Sequence, residues 1–218
     1  MMLQRRKQKR FNREYYIHSI PVFVFGETEP LVDIPLFCYQ VEQMLPRTAL
    51  TNVEVCYISD NPELDGRNAA YNDGAIYMKL DEPTNDDMIE NFVHEVAHAV
   101  ETTDPYSIYD ERLQTEFLGK RRKLYHLLQA EGYNQVPLVR YEMMEYNKMF
   151  DDFLANVVGY PTLLSLTMGL FCSPYGATSI QEYFANGFEK FFTESPGYVK
   201  SVSPVLYQKV VAALNDDK

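Results

Sequence analysis

The chain has 218 residues, of which 46% are hydrophobic, and its formal net charge is −11. This length and composition allow a full hydrophobic core and predict one domain, with room for a helical insertion. The negative charge argues against nucleic acid as the main partner, because phosphates are repelled by an acidic surface.

The charge is unevenly distributed along the chain. The first thirteen positions contain six basic residues: Arg5, Arg6, Lys7, Lys9, Arg10 and Arg13. Without these six positive charges, the net charge of the remainder is −11 − 6 = −17. We expect residues 1–14 to form a flexible tail and residues 15–218 to form a single domain. A targeting signal or a small nucleic-acid arm are the alternatives for the tail.

Two further features bear on location. No apolar run follows the basic start, so a secretory signal is not expected. Cys38, Cys56 and Cys172 are widely spaced and odd in number, which favours reduced thiols. For the chain as given we expect a cytoplasmic location, while non-classical secretion or a role as a toxin component stays open.

The first part of the chain alternates strand and helix signals. Tyr16 to Phe25 is rich in aromatic and β-branched residues and predicts one strand, in which Pro21 indicates an edge or a bulge. Asp33 followed by Pro35 predicts a helix start. Val53 to Ile58 predicts a second strand.

A hairpin is predicted next, because Asn72-Asp73-Gly74 is a strong turn signal between two short apolar runs. Its second strand, Ala75 to Leu80, leads into the following helix. We expect this strand to have a free edge that binds an extended peptide through its main chain. The predicted substrate-binding residues are Ala75, Ile76, Tyr77 and Met78.

The following helix carries the motif H-E-x-x-H at His94, Glu95 and His98. Thr84 and Asp87 predict a capping box, so the helix is expected to begin near Asn85. Side chains four residues apart share one helix face, which allows both imidazoles to bind one metal ion with Glu95 beside them. This spacing is typical of zinc peptidases.

The later part of the chain predicts mainly helices. Two are expected, from about Leu113 to Gly132 and between Pro137 and Gly159. No charged residue occurs between Phe153 and Gln181, but polar residues and Pro161 interrupt the apolar runs, so no membrane span is expected. Thr162 to Phe171 is instead expected to be a buried wall beside the active site.

Two residues compete as the third metal ligand. Asp104 follows His98 at the spacing found in metzincins, but Glu101 stands where that pattern needs a glycine for a sharp turn. Glu182 lies on a helix predicted to start with a capping box formed by Thr178 and Gln181. The pattern of residues alone leaves both open.

The segments HEVAHAVE and YGATSIQEYFANGF resemble the catalytic domain of anthrax lethal factor-like metallopeptidases. This gluzincin group includes the Pro-Pro endopeptidases. The resemblance covers about residues 70–104 and 170–214. It implies that Glu182 is the third zinc ligand and that Tyr175, seven residues earlier, is a catalytic tyrosine. Asn186 departs from the family, which usually has an acid there, and the spacer after His98 is long, consistent with a helical insertion around residues 106–165.

Together these features predict an α+β, zincin-like fold, with a small N-terminal mixed sheet, the HExxH helix and a mainly helical C-terminal part. The expected function is that of a zinc endopeptidase with one Zn²⁺ per chain and a protein or peptide substrate. Glu95 would be the general base and, as the resemblance implies, Tyr175 would stabilise the oxyanion. A metzincin-like peptidase using Asp104 and a non-catalytic zinc-containing binding protein are the alternatives.

Overall fold

The computed structural model describes residues 11–215 apart from Thr28, residues 61–63 and Asp65. The chain divides into two compact units, residues 1–99 and 100–218. A five-stranded mixed sheet and a mostly helical remainder confirm the α+β class.

The sheet belongs to the first unit. Its strand order is β1-β2-β3-β5-β4, antiparallel at both ends and parallel where β3 pairs with β2 and with β5. The bounds of the strands and helices are β1 (Phe11–Ile17), β2 (Ile20–Gly26), α1 (Ile34–Met44), β3 (Val55–Ser59), β4 (Ala69–Asn72), β5 (Ala75–Lys79) and α2 (Asn85–Glu101). A short 3₁₀ turn covers Arg47–Leu50. The last two residues of α2 belong to the second unit.

The prediction of one strand from Tyr16 to Phe25 is wrong, because the chain turns within it. His18 has a φ of 53°, and its N–H donates to Glu42, so β1 and β2 form a hairpin. Residues 11–14 of the predicted tail therefore lie in β1, and the remainder of that tail is outside the described residues.

The prediction that Ala75 to Leu80, with Ala75, Ile76, Tyr77 and Met78, forms a free edge is also wrong. β5 is paired on both sides, with β3 and with β4. The cause is the predicted hairpin itself: Asp73 and Gly74 have φ values of 45° and 83°, which suits a tight two-residue turn. This turn folds β4 against the outer side of β5, so β4 lies at one edge of the sheet and β1 at the other.

One face of the sheet is buried with the two helices of the first unit. Every second side chain along the central strands is fully buried: Val22, Val24, Cys56, Ile58, Ile76 and Met78. Phe37 of α1 and Phe92 of α2 pack edge to face, with ring centroids 5.7 Å apart. The helix predicted from Asp33 is confirmed, because the Asp33 carboxylate accepts from the N–H of Leu36 at 3.0 Å.

The second unit is helical in its described part. None of the described helices is long and apolar enough to span a membrane. A π-helical segment (Phe153–Gly159) and a 3₁₀ turn (Tyr175–Ala177) interrupt the α-helices. Their bounds are α3 (Pro105–Ile108), α4 (Glu111–Ala130), α5 (Leu138–Tyr141), α6 (Lys148–Asp152), α7 (Tyr160–Thr167), α8 (Ile180–Thr193), α9 (Pro196–Val202) and α10 (Pro204–Asn215).

The helix predicted between Pro137 and Gly159 is interrupted. The side chain of Asn147 accepts from the N–H of Phe150 at 3.1 Å and so starts a separate helix, α6. Gly159, with a φ of 82°, then separates the π-helical segment from α7. Asparagine and glycine favour these local conformations over a continuous helix.

Two buried cations on α4 tie loops of the second unit together. Lys120 donates to the carbonyls of Leu170 and Val202 and to the hydroxyl of Ser203 at 2.6–2.9 Å. Burial lowers the pKa of Lys120 to about 8. The neighbouring Arg121 donates to carbonyl oxygens only, those of Met143, Thr178 and Arg140. Since Thr178 lies just before α8, Arg121 holds the start of that helix.

Helix α8 also packs closely on α10. A Cβ at Gly187 would lie 2.7 Å from Cγ of the fully buried Leu206 and closer still to a terminal methyl. Glycine is therefore required at this position because Leu206 leaves no space for a side chain, and not because of a turn conformation.

Gly187→Ala should destabilise the protein by about 1–3 kcal/mol, because overpacking displaces Leu206 or α8. Gly119→Ala on α4 is the matched control: apart from the adjoining residues and backbone of its own helix, no described atom lies within 4 Å of its added Cβ, so stability should rise by about 0.5–1 kcal/mol. Urea unfolding followed by circular dichroism measures both. Equal effects of the two substitutions would contradict the close packing of α8 on α10.

Candidate metal centre

Helix α2 starts as its sequence predicts. The Thr84 hydroxyl accepts from the N–H of Asp87 at 3.1 Å and donates to its carboxylate at 2.6 Å. Asp86 and Asp87 lie in the first turn, where the helix dipole favours negative charge. This fixes the helical register of the motif that begins two turns later.

The motif lies on a partly exposed face of α2. His94 and His98 are half-buried, whereas Glu95 is 9% exposed. The imidazole centroids are 5.1 Å apart, with the ring planes at 73°. The neighbouring residues Phe92, Val93 and Val96 are fully buried, so the apolar face of α2 is anchored in the core while the imidazoles remain accessible.

Glu95 is held by the edge strand. Its Oε2 accepts from the backbone N–H of Tyr71 on β4 at 2.7 Å. The Tyr71 hydroxyl donates to the carbonyl of Asn52 at 3.3 Å, and the Asn52 amide donates to the carbonyl of Ala99 near the end of α2. This network fixes both the carboxylate of Glu95 and the helix that carries it. The sequence gives no local signal for the contact, because Tyr71 and Glu95 are 24 residues apart.

Glu182 lies in the first turn of α8. The cap is Ser179 and not the predicted Thr178: the Ser179 hydroxyl accepts from the N–H of Glu182 at 3.1 Å. Thr178 instead donates its hydroxyl to the carbonyl of Tyr175 at 2.8 Å, closing the preceding 3₁₀ turn. These two bonds place Tyr175 near Glu182, and the Tyr175 hydroxyl donates to Glu182 Oε1 at 3.4 Å.

His94, His98 and Glu182 each offer a ligand atom, and these three atoms lie within 4.8 Å of one another. All three residues are half-buried, so the group could hold a metal ion. Asp104 belongs to no such group among the residues that the structure describes. Its carboxylate caps α3, accepting from the N–H of Ser107 at 3.1 Å. Of the two candidate third ligands, Glu182 is therefore the one that belongs, among the described residues, to a group that could hold a metal ion.

Asn186, where the resembled family usually has an acid, is 4% exposed and tightly held. Its amide nitrogen donates to the carbonyl of Glu182 at 3.0 Å, and its oxygen accepts from the hydroxyl of Ser173. Asn186 therefore ties the segment before Tyr175 to α8 with neutral hydrogen bonds.

Tyr109 is a residue near Glu182 that sequence reasoning missed. Its hydroxyl donates to the carboxylate of Glu101, and its ring packs edge to face on Phe184 at 6.3 Å. Burial, and then the negative charges of Glu101 and Glu182, raise the pKa of Tyr109 well above its ordinary value. Tyr109 is thus neutral and keeps its proton for Glu101. No motif marks this residue, because the contact depends on the turn between α2 and α4.

No protein-family model, curated protein or solved structure matches this chain.

With Zn²⁺ as the probe ion, we expect elemental analysis after dialysis to find bound metal in the wild type and far less in Glu182→Ala. A carboxylate ligand removed from a three-residue site leaves only two imidazoles to hold the ion. Asp104→Ala is the control, because it removes an acid close in sequence that only caps α3. Zinc loss in Asp104→Ala with retention in Glu182→Ala would reverse the assignment.

Proposed function

We propose that the protein is a zinc-dependent endopeptidase with one Zn²⁺ per chain. The observation that carries the proposal is the convergence of His94, His98 and Glu182, with Glu95 on the same helix as the two histidines. A binding protein needs the three ligands, but has no use for a glutamate held beside them.

The donor set fits zinc. Two imidazoles and one carboxylate are the ligands of many catalytic zinc sites, and three protein ligands leave the fourth tetrahedral position open. A hard cation such as Ca²⁺ would need six or more oxygen donors, which this group does not offer. When bound, zinc supplies a Lewis acid and lowers the pKa of a water molecule to about 7.

Glu95 would act as the general base. Its Oε2 is fixed by the N–H of Tyr71, so the carboxylate has one orientation, and Oε1 would take the proton of the attacking water. The same carboxyl would then deliver this proton to the leaving amine. Burial keeps bulk water from competing for the carboxylate.

Tyr175 would donate its hydroxyl to the oxyanion that develops on the substrate carbonyl. Its present bond to Glu182 is long, at 3.4 Å, so exchanging that acceptor for a developing oxyanion costs little. The 3₁₀ turn closed by Thr178 fixes the backbone of Tyr175 and hence the reach of the hydroxyl.

Glu95→Gln should keep one zinc and lose about 10²–10⁴ in kcat, because the amide cannot accept the proton.

Tyr175→Phe should lose about 10²–10³ in kcat, with zinc content and KM little changed. Cleavage of an unfolded protein, followed by mass spectrometry with and without a chelator, measures both. Wild-type turnover in Glu95→Gln would end the proposal, and bound zinc without any cleavage would favour a non-catalytic binding protein.

The edge strand β4 is the best place for an extended substrate. The Tyr71 N–H points away from β5, because it donates to Glu95, and the backbone groups of Ala69 have the same orientation two residues earlier. Of the described strands, β1 and β4 are each paired on one side only, and β4 is the one whose backbone bonds Glu95. A peptide would therefore add to β4 through main-chain hydrogen bonds, next to the general base.

Ala69→Pro should raise KM several-fold with kcat largely retained, since it removes an outward N–H without removing a bond to β5. The matched control is Ala70→Pro, whose N–H faces β5, and which should lower stability instead. Steady-state kinetics on one peptide substrate, together with thermal unfolding, separates the two effects. An unchanged KM in Ala69→Pro would place the substrate elsewhere.

A further inference from the structure

Helix α7 and the residue that follows it, Met168, expose a row of large apolar side chains. Tyr160, Leu164 and Met168 are 50%, 61% and 80% exposed, respectively. They are spaced four residues apart, so they share one face over about 12 Å. We call this face the apolar stripe (Tyr160, Leu164, Met168). The prediction that Thr162 to Phe171 forms a buried wall is therefore wrong for this face. Contiguous exposed apolar side chains mark interaction surfaces more often than single ones do.

A groove of about 430 Å³ adjoins the Met168 end of the stripe. Helix α4 forms one wall with Lys123, His126 and Leu127, and the other is formed by Leu166, Met168, Gly169 and Leu170. None of these described lining residues is acidic, although the whole chain has a net charge of −11. This end of the stripe is therefore positively charged.

The opposite end of the stripe carries the carboxylate of Asp151, next to the ion pair between Lys148 and Asp152. Asp151 lies close enough to Tyr160 that its charge, after burial, raises the pKa of the Tyr160 hydroxyl. The Asp151 carboxylate also accepts from the hydroxyl of Tyr146 at 2.8 Å, which fixes its position. The stripe thus has a carboxylate at its Tyr160 end and an ammonium group at its Met168 end.

We propose that the apolar stripe binds a second copy of this chain about a two-fold axis near Leu164. Antiparallel pairing of two α7 helices places Met168 against Tyr160 of the partner subunit, inserted toward its groove. The same rotation brings Lys123 toward Asp151 of the partner subunit, twice per dimer. Opposite charges at the two ends of one stripe are complementary to themselves only in this antiparallel arrangement.

The charge pattern favours a second copy over other partners. An anionic membrane surface would attract Lys123 but repel Asp151 at the other end of the stripe. An acidic helix of another protein meets the same conflict. A rotated copy satisfies both ends while it covers the three apolar side chains.

Sedimentation velocity over a concentration series tests the apolar part of this interface. The wild type should show a monomer–dimer equilibrium, and Leu164→Asp should weaken it at least tenfold, because two carboxylates would be buried at the axis. Leu31→Asp is the control: Leu31 is 73% exposed but belongs to the first unit. Circular dichroism checks that each variant is folded.

A charge swap tests the geometry. Lys123→Glu and Asp151→Lys should each raise the dimer dissociation constant several-fold, and the double variant should restore it, because the two charges exchange places across the axis. Arg122→Glu makes the same charge change at a residue that pairs with Glu142 instead and should leave dimerisation unchanged. A wild type that stays monomeric at its highest soluble concentration, or a double variant that is weaker than both single ones, overturns the proposal. Binding of monomers to anionic vesicles would assign the stripe to a membrane surface instead.

Discussion

The site depends above all on the four-residue spacing of His94 and His98 on one continuous helix. Only a helix in the right register places both imidazoles on one face with Glu95 beside them. Helix α2 secures this register at both ends, through the Thr84 cap at its start and the amide of Asn52 on the Ala99 carbonyl near its end. The buried apolar face of α2 then fixes its rotation about its own axis.

Glu182 is presented by a second set of local constraints of the same kind. Ser179 caps α8, Arg121 holds the carbonyl of Thr178 just before it, and Gly187 lets α8 approach Leu206. Each contact is made with a buried or backbone group. A carboxylate on such a rigid helix start would lose little conformational entropy on binding a metal ion.

Local signals in the sequence predicted much of this arrangement. The capping box at Thr84, the Asp73-Gly74 turn and the Asp33 cap each act over three or four residues, and all three were predicted correctly. Glu182 could be chosen over Asp104 only through the resemblance to a peptidase family, because the pattern of residues leaves both acids open. Which strand of the β4–β5 hairpin lies at the edge could not be predicted. The turn fixes the pairing of β4 with β5, but not which of the two strands pairs with β3.

Features that depend on the packing of one element on another were not predicted from the sequence. The bond from Tyr71 to Glu95, the pair of Tyr109 and Glu101 and the exposed face of α7 all depend on how elements pack. A hydroxyl or backbone N–H carries no marker for a partner that is distant in the chain. The uncharged segment from Phe153 to Gln181 illustrates this, because an apolar sequence predicts burial equally well against its own core or against a partner.

We propose above all that His94, His98 and Glu182 hold one zinc ion. Crystals of the protein with one equivalent of zinc, measured at the zinc absorption edge, test this most directly. A single strong anomalous peak is expected at about 2.0–2.2 Å from one atom of each of the three residues. A peak at other residues, or none, would contradict it.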